Sequence, residues 1–367
     1  MRKSRPVARR AAPARRAARD ARTIDAAPNE FERIRRLTAA LPAGDGVRLG
    51  PGDDAALLVP RAGRDLAVTV DAFEEGRHWR DAWIDDEALG ARLAAANLSD
   101  LAAMAASPRW ALLAIAARPD GDAARWERVQ RGFVTALAAH GAALVGGNLV
   151  ATRGPDAMSV TLIGDVARGR AWTRRGARPG DWLAVTGHPG RAGAAVRLLA
   201  SGRASGARAW RPLLEAWRAP AVRVAFAERL AALDAVTAAI DVSDGVAGDL
   251  EHVTTASGVG AHVDAWEPDS LLARAARALG LAEPELRFGP SDDYELLLAI
   301  DGDARAAAER VAREQGVPLA FVGRFTDAPG VLTWRDARGR VAPLPAAGFD
   351  HFAEPKAPAR RAKRRPR

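Results

Sequence analysis

Apolar and polar positions alternate along this chain with two different periods. The stretches DLAVTVDA (65–72), WALLAIAA (110–117) and MSVTLIGDVA (158–167) are short runs rich in aliphatic and β-branched residues, which predicts strands. Residues 85–105 and 123–140 carry apolar side chains at helical spacing and predict helices. At RGARPGD (175–181) glycine and proline interrupt the periodicity and mark a boundary. Beyond it the pattern resumes with a strand at 181–187, helices at 190–201 and 221–232, a strand at 237–243 and a helix from about 246. Strands follow at GAHVDA (260–265) and YELLLAI (294–300). Alternation of strand and helix in both halves predicts an α/β chain of two domains, 23–170 and 171–354, each a mixed sheet packed with helices. The segments 1–22 and 355–367 lack the pattern and are expected to be disordered basic tails.

With 367 residues and 48% hydrophobic content, the chain can bury a substantial core. It contains no cysteine, which excludes disulfides, thiolate metal sites and a cysteine nucleophile, and favours a reducing, cytoplasmic setting. No apolar run approaches the roughly 20 residues of a membrane helix. The arginine-rich amino terminus lacks the apolar centre of a signal peptide. The two tails carry +8 and +7, so the net charge of +9 leaves the body at −6. Nucleic acid or another polyanion is therefore a partner only for the tails, through phosphate contacts.

The acids of the body change the picture further. PGDDAALLVP (51–60) sets Asp53 and Asp54 side by side, and Asp71 closes the predicted strand AVTVD. Asp241 and Asp244 flank a strand-to-helix junction in IDVSDG, and Asp292 and Asp293 precede YELLLAI. Asn97 and Asp100 share one face of a predicted helix among alanines and leucines, where a polar pair needs partners. Each has a local explanation as a turn residue, a loop end or, for Ser243 and Asp244, a helix cap. Taken together, carboxylates at strand ends without a cysteine or histidine cluster suit Mg²⁺, a hard cation that pairs carboxylates with substrate phosphates. Yet the chain has no G-x-x-x-x-G-K-[ST] loop, and GVGAHV (258–263) lacks the third glycine of a dinucleotide fingerprint, so any nucleotide is held differently.

GDDAALL, TVDAFEEGRHW, NLSDLAAMAASPRW, GGNLVATRG, GRAWTRRGARPGDWLAVTG, IDVSDGVAGDLEHV, SDDYELLL and GFDHF occur in that order between about Glu30 and Phe352. In this the chain resembles the thiamine-monophosphate kinases, of the superfamily that includes aminoimidazole ribonucleotide synthetase and selenophosphate synthetase. The resemblance implies the two-domain aminoimidazole ribonucleotide synthetase-like fold, a homodimer, and transfer of the γ-phosphoryl of ATP to thiamine monophosphate with Mg²⁺, several ions in all. By motif, Asp54, Asp71, Asp100, Asp241 and Asp244 look like metal ligands. Thr69 and Val70 occupy the family's two hydroxyl positions. Gly147 and Asn148 match a glycine and an aspartate that touch ATP and metal, while Arg174 and Ser243 match further ATP contacts. His78, Asp292 and Phe349 fall where the family contacts its substrate.

Three positions depart from that pattern. Asn148 replaces an aspartate and removes one negative charge. Val70 removes a ligand, and Asp292, preceded by Pro290 and Ser291, replaces a glutamate that follows two glycines. An attacking phosphate oxygen is already ionised, so no dedicated general base is expected. Two alternatives accompany the kinase expectation: a related ATP-dependent enzyme with another small acceptor, and a weakened dimeric scaffold holding polyanions by its tails.

Overall fold

A computed structural model describes residues 30–349 except 40, 53, 123, 205–207, 265, 337, 346 and 347. Both predicted tails and Asp53 lie outside the described residues. The first part of the chain runs α1 (Glu30–Thr38), β1 (Val47–Leu49), β2 (Leu57–Leu58), β3 (Arg64–Glu74), α2 (Asp86–Ala103), β4 (Ser107–Ala117), α3 (Arg125–Ala138), β5 (Ala143–Ala151) and β6 (Ala157–Ala167). The second continues with β7 (Trp182–Thr186), α4 (Arg191–Ala200), α5 (Arg211–Arg218), α6 (Val224–Ala231), β8 (Val236–Val242), α7 (Val246–Ser257) and β9 (Gly260–Val263). It ends with α8 (Ser270–Leu279), α9 (Glu283–Arg287), β10 (Glu295–Ile300), α10 (Arg305–Glu314), β11 (Leu319–Thr326), β12 (Leu332–Arg335) and β13 (Val341–Pro343).

Two sheets that share no strand organise these elements. The first has the order β3-β6-β4-β5, and the second β13-β12-β9-β11-β7-β10-β8. Strands β4 and β5 are parallel, joined over the sheet by α3, whereas β3, β6 and β4 pair antiparallel. In β3, Phe73 and Asp71 share the face that α2 covers, while Val68 and Val70 point to the other. That other face is largely uncovered: Leu66, Val68, Val70, Leu112 and Val150 are exposed on it. The short β1–β2 hairpin caps one end of it, where Trp110, Ala143 and Val145 pack with Val47 and Leu58.

Helix α2 is the element that joins the halves. Asp85 caps it, accepting from the Ala88 N–H at 2.8 Å, and Asp86 and Glu87 suit the positive end of its dipole. It is buried nearly all round, between α3 on one side and the second domain on the other. Two glycines permit the α2–α3 approach. A Cβ on Gly90 would stand 1.8 Å from the Val129 carbonyl oxygen, and one on Gly132 would stand 1.9 Å from that of Glu87. Only hydrogen side chains fit such a crossing.

Two sequence expectations need amendment. Strand β3 continues past residue 72 because Phe73 and Glu74 still pair with Met158 and Ala157, so Asp71 lies within the strand and not at its end. The GGN stretch, which carries no strand signal, is the middle of β5. There a Cβ on Gly147 would meet the Leu113 carbonyl oxygen at 2.0 Å, so glycine lets β5 lie against β4.

Candidate active site

Three aspartates from three elements converge where α2 passes between the sheets. Thr69, on the helix-covered face of β3, donates its hydroxyl to Asp100 Oδ2 on α2 at 2.5 Å. One residue earlier on α2, buried Ser99 donates to Asp241 Oδ2 of β8 at 3.0 Å, which ties the site across the domain junction. Burial and the charge of Asp100 push the Asp71 carboxyl up to about 6. Asp100 is itself raised, chiefly by burial, against the lowering effects of the Thr69 hydroxyl and the Arg174 charge. Asp241 is raised well above the carboxylate range by burial and then by Asp100, Asp249 and Asp71. Like charges have been gathered here and only partly compensated.

The loop after β8 is held by a residue the motif comparison passed over. Asp249, in the first turn of α7, accepts from the backbone N–H groups of both Ser243 and Asp244 at 3.1 Å. Burial and the Asp244 charge push its carboxyl up to about 7. Asp244 in turn receives the end of the described chain: its carbonyl accepts from the Phe349 N–H at 3.1 Å. Gly348 lies against Gly248 of α7, a Cβ on Gly248 coming within 2.7 Å of the Gly348 Cα. The exposed Phe349 ring is thus delivered beside Asp244. Arg174, exposed on the interdomain linker, faces both Asp100 and Asp249.

The substrate-side residues occupy both domains. His78 stacks on Phe73 with ring centroids 5.3 Å apart, and its Nδ1 accepts the Glu74 N–H at 2.9 Å. In the neutral ring that leaves the proton on Nε2, a donor. Asp292 is paired with Arg92 of α2, an ion pair across the junction. Its neighbour Asp293 turns the other way and accepts from Gly190 N at 2.6 Å and Ala192 N at 2.9 Å, closing the amino end of α4.

Asn148 and Asp54 are not brought to this cluster within the chain. Asn148 pairs in register with Ala114 on the uncovered sheet face, whereas Gly147 is level with Leu113 on the helix-covered face. A two-residue period sends consecutive residues to opposite faces, so one motif is split by the sheet. Asp54 is exposed in the β1–β2 connection, whose hairpin packs on the uncovered face. Asn97, expected to need partners, donates Nδ2 to the Leu93 carbonyl at 3.0 Å, and its buried Oδ1 meets none. Two cavities of 570 and 560 Å³ are lined by none of the residues matched to metal, ATP or substrate positions and are not this site; of the acids singled out in the sequence only Asp293 borders one of them.

Among the described residues no three acidic or histidine side chains already stand together as a metal cage. The donor set nevertheless fits Mg²⁺. That ion keeps several waters and takes one or two carboxylates plus substrate phosphates, and the uncompensated repulsion among Asp71, Asp100 and Asp241 is what a dication relieves.

Acidic groups between two mixed domains, with a linker arginine facing them, define a class of phosphate-handling α/β protein. The N-terminal domain of AIR synthase related protein matches residues 52–166 and its C-terminal domain matches residues 178–335. The crystal structure of the hydrogenase maturation protein HypE of Escherichia coli shares the fold, with a TM-score of 0.71 over 84% of this chain and 94% of its own, at 18% identity. Fold alone therefore does not decide the activity.

Sequence identity separates the members. The chain is 37% identical over 315 residues to the thiamine-monophosphate kinase of Escherichia coli K12, covering 84% of this chain and 93% of that one. It is 35% identical over 334 residues to that of Caulobacter vibrioides, covering 85% and 88%. The thiamine-monophosphate kinase structure from Stenotrophomonas maltophilia superimposes with a TM-score of 0.72 at 35% identity, over 85% of this chain and 96% of its own. The chain belongs to the AIR synthase related family and, within it, to the thiamine-monophosphate kinases, which are phosphotransferases. No described helix is long and apolar enough to cross a membrane.

Proposed function

We propose that the chain phosphorylates thiamine monophosphate to thiamine diphosphate by direct transfer of the γ-phosphoryl group of ATP. The observation that supports this most is the convergence of Asp71, Asp100 and Asp241 from both domains at the junction that Arg174 faces. Two phosphate groups must meet there, and such transfer is mostly positioning and neutralisation of charge. Asp71, Asp100, Asp241 and Asp244, with the Thr69 hydroxyl, would hold Mg²⁺, which when bound supplies that neutralisation.

The remaining work falls to the chain itself. Thr69 and Ser99 fix the carboxylates of Asp100 and Asp241, and Asp249 holds the backbone of Ser243 and Asp244. Arg174 and Ser243 would contact ATP phosphates, and Gly147 would contribute backbone to the ATP site. On the acceptor side His78 would donate from Nε2, Asp292 would accept, and Phe349 would cover the bound ring. The acceptor oxygen is an ionised phosphate, so no side chain has to remove a proton.

A homodimer formed over the uncovered face of the first sheet belongs to the same reading. Val68, Val70, Leu112 and Val150 give that face an apolar surface, and Asn148 lies on it with Asp54 in the adjoining loop. A second copy would cover the face and complete the metal and ATP positions that one chain leaves apart. Purified full-length chain given ATP, Mg²⁺ and thiamine monophosphate is expected to form ADP and thiamine diphosphate in equal amounts. No product above background over a wide range of Mg²⁺ concentration would refute the reading.

A further inference from the structure

Among the described residues Arg92 is the largest fully buried charged side chain, 1% exposed on a stretch of helix built from glycine, alanine and leucine. Buried arginines are rare unless paired. Its backbone belongs to the first domain, while its partners belong to the second. The guanidinium donates to the Trp217 carbonyl at the end of α5 and to Asp292 Oδ2. It also lies 4.7 Å from the centroid of the Trp217 ring and 5.3 Å from that of Tyr294. Tyr294 has φ 55°, a left-handed backbone that a non-glycine residue adopts at a cost, and it sits where Asp292 and Asp293 part company. Asp293 is sealed inside against α4, and Asp292 stays 34% exposed.

We propose that Arg92 is the positioning residue of the acceptor site. It holds Asp292 through Oδ2, so that Oδ1 is presented to an amino-bearing, cationic acceptor. The same contact locks α2, and with it Asp100, onto the second domain. The inference rests on the kinase reading and deepens it. It also accounts for the shorter side chain at 292: an aspartate reaches less far than a glutamate, and a rigid planar partner gives it a fixed direction.

The test uses the full-length chain and the variants R92M, R92K and D292N, with KM for thiamine monophosphate and for ATP measured separately and each melting temperature recorded. R92M keeps the apolar stem against Trp217 but removes the charge and its donors. Its KM for thiamine monophosphate is expected to rise about tenfold or more, the loss of one charge-assisted hydrogen bond, while KM for ATP changes less than twofold. R92K, which keeps the charge and loses the planar fork, falls between. D292N adds little on top of R92M, because the two side chains act as a pair.

An unchanged acceptor KM in R92M overturns the inference, as do equal rises in both KM values that follow a fall in melting temperature. Should R92M not fold, unchanged acceptor KM in both R92K and D292N overturns it equally. Absence of turnover by the unaltered chain is a separate outcome: it refutes the kinase reading, and the inference falls with it.

Discussion

Replacing Gly90 by alanine sets two effects of opposite sign against each other. In an isolated helix the change is favourable by about 1 kcal/mol, because alanine loses less backbone entropy than glycine. In this protein the new methyl group would lie 1.8 Å from the Val129 carbonyl oxygen and 2.7 Å from the Phe133 nitrogen. Both obstacles are backbone of α3, so no rotamer change removes them. Reaching even a 3.0 Å contact requires the helices to part by about 1.2 Å. Leu89, Leu93, Val129 and Phe133, all buried at that crossing, would then face a gap, and a gap of 0.5–1 Å already forfeits roughly a quarter to a half of each dispersion contact.

Overpacking of this kind typically costs about 1–3 kcal/mol, and backbone obstacles place Gly90→Ala at the upper end. Subtracting the propensity gain leaves a net loss of about 2 kcal/mol, a fall in melting temperature of roughly 3 °C for a chain of this size. Gly132→Ala meets the Glu87 carbonyl at 1.9 Å and forces the same separation, so the double variant should lose less than the sum of the two. The assay is thermal or urea unfolding of both single variants and the double. A Gly90→Ala chain as stable as the original, or more so, would refute the reasoning and show that the helices are not held in contact at these glycines.

Asp71→Asn and Asp100→Asn should each lower kcat by orders of magnitude while leaving the melting temperature of the metal-free chain equal or higher, since each removes one member of a cluster of three mutually repelling carboxylates; near-normal turnover would mean the aspartates are structural. Val70→Lys places a charge on the uncovered sheet face and should convert the protein from dimer to monomer by light scattering; an unchanged mass would remove that face as the contact. Burial pushes the Asp293 carboxyl up to about 7 despite its hydrogen bonds, so the folded chain keeps a proton there that the unfolded chain has released above about 4. This contribution to stability is full at low pH and lost as pH rises through about 7, with Asp71 and Asp249 acting in the same sense. Asp293→Asn should melt lower but with a flatter decline between about pH 4 and 7, and an unchanged slope there would rule out the buried proton.

How much of this was legible beforehand differs by element for physical reasons. WALLAIAA reads as a strand and is the interior strand β4, because apolar residues there face α2 on one side and the sheet's open surface on the other. Strand β5 is hidden by its glycines, whose purpose is a backbone approach that no local pattern encodes. The acidic motifs identify the family and the residue types, yet the two-residue period that sends Gly147 and Asn148 to opposite faces becomes meaningful only once β5 is known to be a strand. Arg92 carries a weak signal, a single positive charge in GARLAAANLSD, and its partners lie 125 and 200 residues away. Asp249 could have been found: an acid in the first turn after IDVSDG is placed to accept the backbone N–H groups just before the helix.

The packing of α2 explains how the site can exist without its ligands. Asp71, Asp100 and Asp241 repel one another, and a loosely held helix would relieve that repulsion by moving Asp100 into water. Helix α2 has no such freedom. Glycine contacts fix it to α3, Arg92 fixes it to α5 and to the loop before β10, and Ser99 fixes it to β8 through the very carboxylate that its neighbour Asp100 repels. Burial on all sides therefore converts folding free energy into a standing arrangement of like charges, one that a cation and two phosphate groups would stabilise and that water cannot easily dissolve. The alanine-rich composition follows from the same demand, since small side chains let the helix be surrounded closely enough to hold its few polar groups in place.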